Sequence, residues 1–234
     1  MPKPTKNQVV PGFISPGMVD VRFMASLDAS QQKNLNLKGM ITAASARINN
    51  SRTLVIETFL NGTNAEWLWM IDADMTFGPE VLPMLLKTAR QTKTKVVAGL
   101  CYILVKRTGT IAPNAFIDNP KHGEPGQPPY TSWFDHPIDE PFEVQATGSA
   151  MLLVHRDVLT DVQDLGYKGY PWFDERYNES SDSMIGPDIV FSERVREAGY
   201  TITYEPRVEV GHIKDSVVGR GEFLQWLQLQ QAQS

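Results

Sequence analysis

Two hydrophobic periods alternate along the first hundred residues. Asn7 to Phe13 is a strand-like run, with a turn expected at Ser15-Pro16-Gly17. Val19, Phe23 and Leu27 then share one face at helical spacing, which predicts a helix from about Val19 to Ser30. Lys38 to Thr42 reads as a short strand, and Asn49 to Leu60 as a second helix closed by Asn61-Gly62. Trp67-Leu68-Trp69-Met70-Ile71 is a continuous apolar run that stops abruptly at Asp72. So short a run, with no polar face, fits a strand covered on both sides. Pro79 is expected just inside the first turn of the next helix, with Val81, Leu82, Leu85, Leu86 and Ala89 on its buried side. Lys95 to Tyr102 returns to strand. Strand and helix take turns, so the expected fold class is α/β, a mixed, mainly parallel sheet flanked by helices.

The periodicity then weakens. Pro113, Pro120, Pro125, Pro128, Pro129, Pro137 and Pro141 predict a long irregular loop over residues 117–141, of the kind that binds or covers a site. Order resumes with strands at Phe142 to Ala146 and Ala150 to His155, around Thr147-Gly148-Ser149, and a short helix from Asp157 to Leu165. Gly186-Pro187 opens another helix. Phe191, Val195 and Ala198 share its face, and Gly199 suits its end. Thr201 to Tyr204 and Val208 to Val210 read as short strands. From Gly221 a last helix puts Phe223, Trp226 and Leu227 on one side, to pack on the body or, as a homodimer, on a second copy of the chain. Its other face is glutamine rather than lysine, which argues against a membrane surface. The expected organisation is one catalytic domain over residues 1–220, with halves meeting near residue 116, and a helical tail over 221–234.

Composition narrows the function classes. The chain has 234 residues, 41% hydrophobic and 21% charged, ordinary values for a globular protein with one sizeable core. A net charge of −5 with no Lys/Arg block excludes a general electrostatic grip on nucleic acid. No apolar run reaches the ~18–20 residues needed to span a bilayer, and the N-terminus lacks the apolar stretch of a signal peptide. Cys101 is the one cysteine, so no internal disulfide forms, and its apolar neighbours predict a buried thiol. The cytoplasm is the simplest expected compartment.

Candidate chemistry begins at Asp72 and Asp74. They leave the carboxyl end of the apolar strand, the edge where open α/β sheets bind ligands. Carboxylates at this spacing suit one hard divalent ion, Mn²⁺ or Mg²⁺, and a sugar hydroxyl, although they could also simply shape the turn. His212 ends the strand-like Val208-Glu209-Val210-Gly211 and could complete a metal site begun by Asp74. Asp188, near a helix start, could serve as a general base or only complement the helix dipole. Trp172 and Phe173 could stack on a sugar ring or fill the core.

Taken in order, these segments resemble the nucleotide-diphospho-sugar glycosyltransferases of the GT-A fold, in particular small bacterial and bacteriophage members of the family-2-like group. The resemblance runs from about Val9 to Lys214. It is carried by Trp67 to Met75, Thr147 to Leu153, Pro171-Trp172-Phe173, Gly186 to Phe191 and Val208 to His212. It implies a nucleotide-sugar donor such as a UDP-sugar, and a Mn²⁺ or Mg²⁺ ion on its diphosphate. Asp74 and His212 would then be metal ligands. Asp72 would touch the ribose or the metal's water shell. Gly148 and Ser149 would line the donor-sugar pocket, and Arg52 would contact the nucleotide or its phosphates. Lys214 or Arg220 would close over the diphosphate, Trp172 and Phe173 would face the acceptor, and Asp188 would be the base of an inverting displacement. Many relatives carry glutamate where Pro187 stands. The acceptor is left open among protein, glycan, lipid and modified nucleobase. The rival readings are a non-catalytic nucleotide-sugar binding module and a nucleotidyltransferase. The second would carry a cation-rich glycine loop after the first strand, which Pro11 to Gly17 lacks.

Overall fold

A computed structural model of the chain describes residues 4–15, 17–105, 110–214 and 217–231. Pro16, at the centre of the expected first turn, lies outside the described residues. In chain order the chain begins with β1 (Thr5–Ile14), α1 (Val21–Lys33), β2 (Ile41–Ala43), α2 (Ile48–Gly62) and β3 (Ala65–Ile71). It continues with β4 (Met75–Phe77), α3 (Val81–Thr92), β5 (Val96–Gly99), β6 (Tyr102–Val105), β7 (Thr110–Pro113) and β8 (Ala115–Asp118). There follow β9 (Tyr130–Ser132), β10 (Phe142–Val144), β11 (Ala146–Thr147), β12 (Met151–His155), α4 (Arg156–Asp164), β13 (Arg176–Asn178) and β14 (Ser183–Ile185). The chain ends with α5 (Pro187–Glu197), β15 (Ile202–Glu205), β16 (Val210–Ile213), β17 (Val217–Val218) and α6 (Arg220–Gln231).

Seven strands form the central sheet in the order β10-β15-β5-β12-β3-β1-β2. The β2, β1, β3, β5 and β15 strands run one way, while β12 and β10 run against them. The sheet is therefore mainly parallel, and its carboxyl edge gathers the ends of β1, β2 and β3. Alternation explains the two-sided burial of β3. Leu68 and Met70 face the core layer of α2, α4 and α5, while Trp67, Trp69 and Ile71 face that of α1 and α3. Gly12 lets α2 approach β1 closely, because a Cβ there would lie 2.6 Å from Val55 Cγ1.

Several boundaries differ from expectation. Glu80 is the N-cap of α3, so Pro79 sits before the helix rather than in its first turn. The expected strand over 95–102 is broken at Leu100-Cys101, where the chain leaves the main sheet as β5 and enters the β6–β7 hairpin. The proline-rich stretch is not wholly irregular, since Tyr130–Ser132 pairs with Ala115–Asp118 as β9 on β8. Pro187 does occupy the first turn of α5, and Gly199 takes the left-handed conformation after it with φ 87°. Phe223 of α6 is buried against the body, its ring stacked 4.3 Å from that of Tyr102. Among the described residues no helix is long and apolar enough to cross a membrane.

Candidate active site

The β3 strand delivers Asp72 to the carboxyl edge of the sheet, where its backbone N–H donates to Ala150 O at 3.0 Å. Arg52 reaches it from α2. The guanidinium donates through Nη2 to Asp72 Oδ1 at 3.2 Å and through Nη1 to Asp188 Oδ1, and its side chain is only 3% exposed. Asp188 projects from the first turn of α5, where the helix N-terminus also favours a negative charge. Ser149 Oγ donates to the same Asp188 Oδ1 at 2.9 Å. Asp72 and Asp188 thus meet on one cation, and Ser149 joins them through Asp188. Burial pushes the Asp72 carboxyl above its ordinary range, against the pull of Arg52 and helped by the charges of Asp188 and Asp74. Burial works against the Arg52 charge, but Asp188 and Asp72 outweigh it and keep the guanidinium protonated.

A second cluster lies one turn further along. After Asp74 the chain enters β4, and β16 pairs with it antiparallel so that His212 lies opposite Met75. This pairing closes a separation of 138 residues and sets His212 Nε2 3.0 Å from Asp74 Oδ2. Lys214 Nζ donates to the same oxygen at 2.7 Å. Burial alone would raise the Asp74 carboxyl, but His212 and Lys214 hold it down at about 2. His212 Nδ1 is 3.2 Å from Tyr102 O. A carbonyl only accepts, so Nδ1 carries the proton. The Nε2 position then faces a carboxylate either with a second proton or with a bare lone pair. A carboxylate oxygen and an imidazole lone pair facing each other suit a divalent cation of the Mn²⁺ type. Among the described residues no three such groups converge. The protein's donors therefore fit part of a metal shell, the rest of which would come from outside the chain.

The other expected site residues divide. Gly148 is adjacent, but the space its missing side chain leaves is taken by the protein: a Cβ there would lie 3.0 Å from Asn114 Nδ2. Its smallness serves packing against Asn114. Trp172 and Phe173 are fully buried. The Trp172 indole donates to Leu159 O at 2.7 Å, and Phe173 stacks on Phe191 at 4.5 Å. Neither ring offers a face to an acceptor. Phe173 instead lies under Arg52, with 5.0 Å from the guanidinium carbon to the ring centre. Arg52 is itself enclosed by two carboxylates rather than open to a phosphate. Arg220 pairs with Asp139 at 3.7 Å. Cys101 is buried and inert, its thiol pushed well up by desolvation.

Two features had no counterpart in the sequence reading. Asn114 accepts from Cys101 N at 2.9 Å through Oδ1, and its carbonyl accepts from Gly148 N at 3.1 Å and from the Tyr204 hydroxyl at 2.6 Å. It thereby holds the turn that carries Ser149, and an asparagine amid apolar strands was its only signal. An open cleft of about 340 Å³ lies at the ends of β1 and β2, lined by Phe13, Ser15, Gly17, Val19, Thr42, Ala43 and Ala44. Its signal was the end of two adjacent parallel strands, where such sheets bind ligands. Phe13 also lines a narrower gap shared with Arg52, Asp72 and Ser149, so cleft and ion-pair cluster adjoin.

No protein-family model and no curated protein matches the chain in sequence. Its fold is similar to that in the crystal structure of A197 from STIV, with a TM-score of 0.62 and 13% identity over 92% of this chain and 91% of that one. It is also similar to the crystal structure of GalNAc-T7 with UDP, GalNAc and Mn²⁺, with a TM-score of 0.57 and 10% identity over 88% of this chain and 43% of that one. At these identities the likeness is one of fold, and the chain has a GT-A-like architecture, a mainly parallel sheet flanked by helices with its candidate site at the carboxyl edge.

Proposed function

We propose that this protein is a glycosyltransferase that moves a sugar from a nucleotide-diphospho-sugar, with UDP-sugars the first donors to test, to an acceptor hydroxyl. The observation that carries the reading is the meeting of Asp72, Asp188 and Ser149 around Arg52, beside the Asp74–His212–Lys214 cluster, at the ligand edge of this fold. A structural neighbour was solved with UDP, GalNAc and Mn²⁺, which supports the same donor class here.

In this reading the cleft at β1 and β2 takes the nucleoside, and Asp72 meets the ribose side of the donor. Asp74 and His212 would hold Mn²⁺ or Mg²⁺. Bound there, the ion would neutralise the diphosphate as a Lewis acid. Lys214 is half-exposed and adds a positive charge on the same side. Asp188 accepts the acceptor's hydroxyl proton as that oxygen bonds to the anomeric carbon. The bond from that carbon to the diphosphate oxygen breaks, the nucleoside diphosphate leaves with its electron pair, and the anomer inverts.

The test is release of UDP from a panel of UDP-sugars with Mn²⁺. Release is expected, with loss in EDTA, in Asp74→Asn and in Asp188→Asn. Tight UDP-sugar binding without release would make the protein a binding module instead. Anomeric NMR of the product reads the stereochemistry, and a retained anomer would remove Asp188 from its role as base.

A further inference from the structure

We infer that Arg52 is a positioning residue, which pins Asp72 and Asp188 on one guanidinium so that each presents its second oxygen to the substrates. This rests on the glycosyltransferase reading and gives Arg52 a task other than gripping the donor. Both of its contacts go to Oδ1 atoms, Nη2 to Asp72 and Nη1 to Asp188, and Ser149 adds a second bond on Asp188 Oδ1 at 2.9 Å. Among the described residues no hydrogen bond reaches Oδ2 of either acid. Asp188, held twice on one oxygen, cannot turn about its terminal torsion without losing both bonds, and Asp72 cannot turn without losing its one bond to Arg52. The other oxygen of Asp188 therefore has one direction, which is what a base needs before a hydroxyl arrives.

The cation is fixed in turn. Its side chain is 3% exposed, so water does not compete for the pairs. Phe173 forms a flat floor beneath it, and that ring is held by Phe191. Only a planar fork can serve two carboxylates from two nitrogens at once, since the lysine ammonium is a single point. The same guanidinium therefore also sets the spacing between the donor-side acid and the base.

The experiment compares Arg52→Lys and Ser149→Ala with the native chain. Arg52→Lys keeps the charge but not the fork. It is expected to lower kcat for transfer about a hundredfold while leaving the donor KM within about threefold. Ser149→Ala removes one bond on the base, and about a tenfold fall in kcat is expected, again with the donor KM kept. A raised donor KM with kcat retained in Arg52→Lys would assign Arg52 to the donor and overturn the inference, as would unchanged kinetics. Nitrogen-15 NMR of the native protein gives a readout independent of turnover. A guanidinium held at both ends shows two resolved Nη signals, which should collapse in Asp188→Asn. Averaged Nη signals in the native chain would overturn the inference. Resolved signals with no nucleoside diphosphate released from any sugar nucleotide would instead retire the transferase reading and leave the pinned geometry standing.

Discussion

Asp72 and Asp188 both carry charge into a partly enclosed site, and a single guanidinium offsets the two. The arrangement leaves one net negative charge next to Asp74, a balance that favours a cation at this edge of the sheet. A similar economy appears outside the site at Glu205, which is 1% exposed. Its Oε1 accepts from Arg207 Nε at 2.6 Å and its Oε2 from Thr88 Oγ1 at 2.6 Å. Burial would raise this carboxyl, but Arg207 and Thr88 hold it below its usual value. A lowered folded-state value means that the stabilisation is fully present above the unfolded value of about 4.3 and is lost as pH falls through the folded one. Glu205→Gln is therefore expected to be less stable than the native chain near neutrality, with the gap narrowing below about pH 4. Urea unfolding from pH 2 to 7 measures it, and a gap independent of pH would contradict it.

At the scale of elements, α2 has an unusual ending. It has no basic residue in its last turn, and its C-cap Thr63 is extended rather than left-handed. Its free carbonyls are served from elsewhere. Arg156, the first residue of α4, donates to Phe59 O at 3.0 Å, Leu60 O at 3.0 Å, Thr63 O at 2.8 Å and Ala65 O at 2.9 Å. A cation at a helix N-terminus is unfavourable for that helix, so its presence at the start of α4 is explained by what it does for α2. It also fastens α2, which carries Arg52, to the strand β3, which ends just before Asp72. Arg156→Met keeps an unbranched apolar stem and removes the guanidinium, both its donors and its stacking over Phe59 at 4.3 Å. It should cost about 2–3 kcal/mol, read as a lower denaturant midpoint with an unchanged slope.

At the scale of the molecule, the sheet order brings together what the chain separates. The ends of β1, β2 and β3 form one edge, β16 returns to β4, and α5 points its first turn at the same place. A ligand that fills this edge touches several elements at once and stabilises them together. UDP with Mn²⁺ at a hundredfold excess over its dissociation constant should add about 2.7 kcal/mol to unfolding. The expected outcome is a rise in melting temperature with both present that neither gives alone and that Asp74→Asn abolishes. An equal rise in that variant would place the nucleotide elsewhere.

Local pattern alone determined most of the elements, because a hydrophobic period reports which side of a segment is covered whatever covers it. It marked β3 as two-sided, placed Asp72 and Asp74 at its end, and read Pro187 and Gly199 as the limits of α5. It could not tell a stacking platform from a core ring, since Trp172 and Phe173 are apolar in either role. It missed β4 and the β13–β14 hairpin, each only three residues per strand, too short to show a period. The ion-pair cluster was beyond its reach for another reason. Arg52 meets Asp72 across 20 residues and Asp188 across 136, and charge pairing leaves no periodic trace along the chain. Only the order of the strands, and the faces on which α2 and α5 pack, decided that one buried cation would join the two acids.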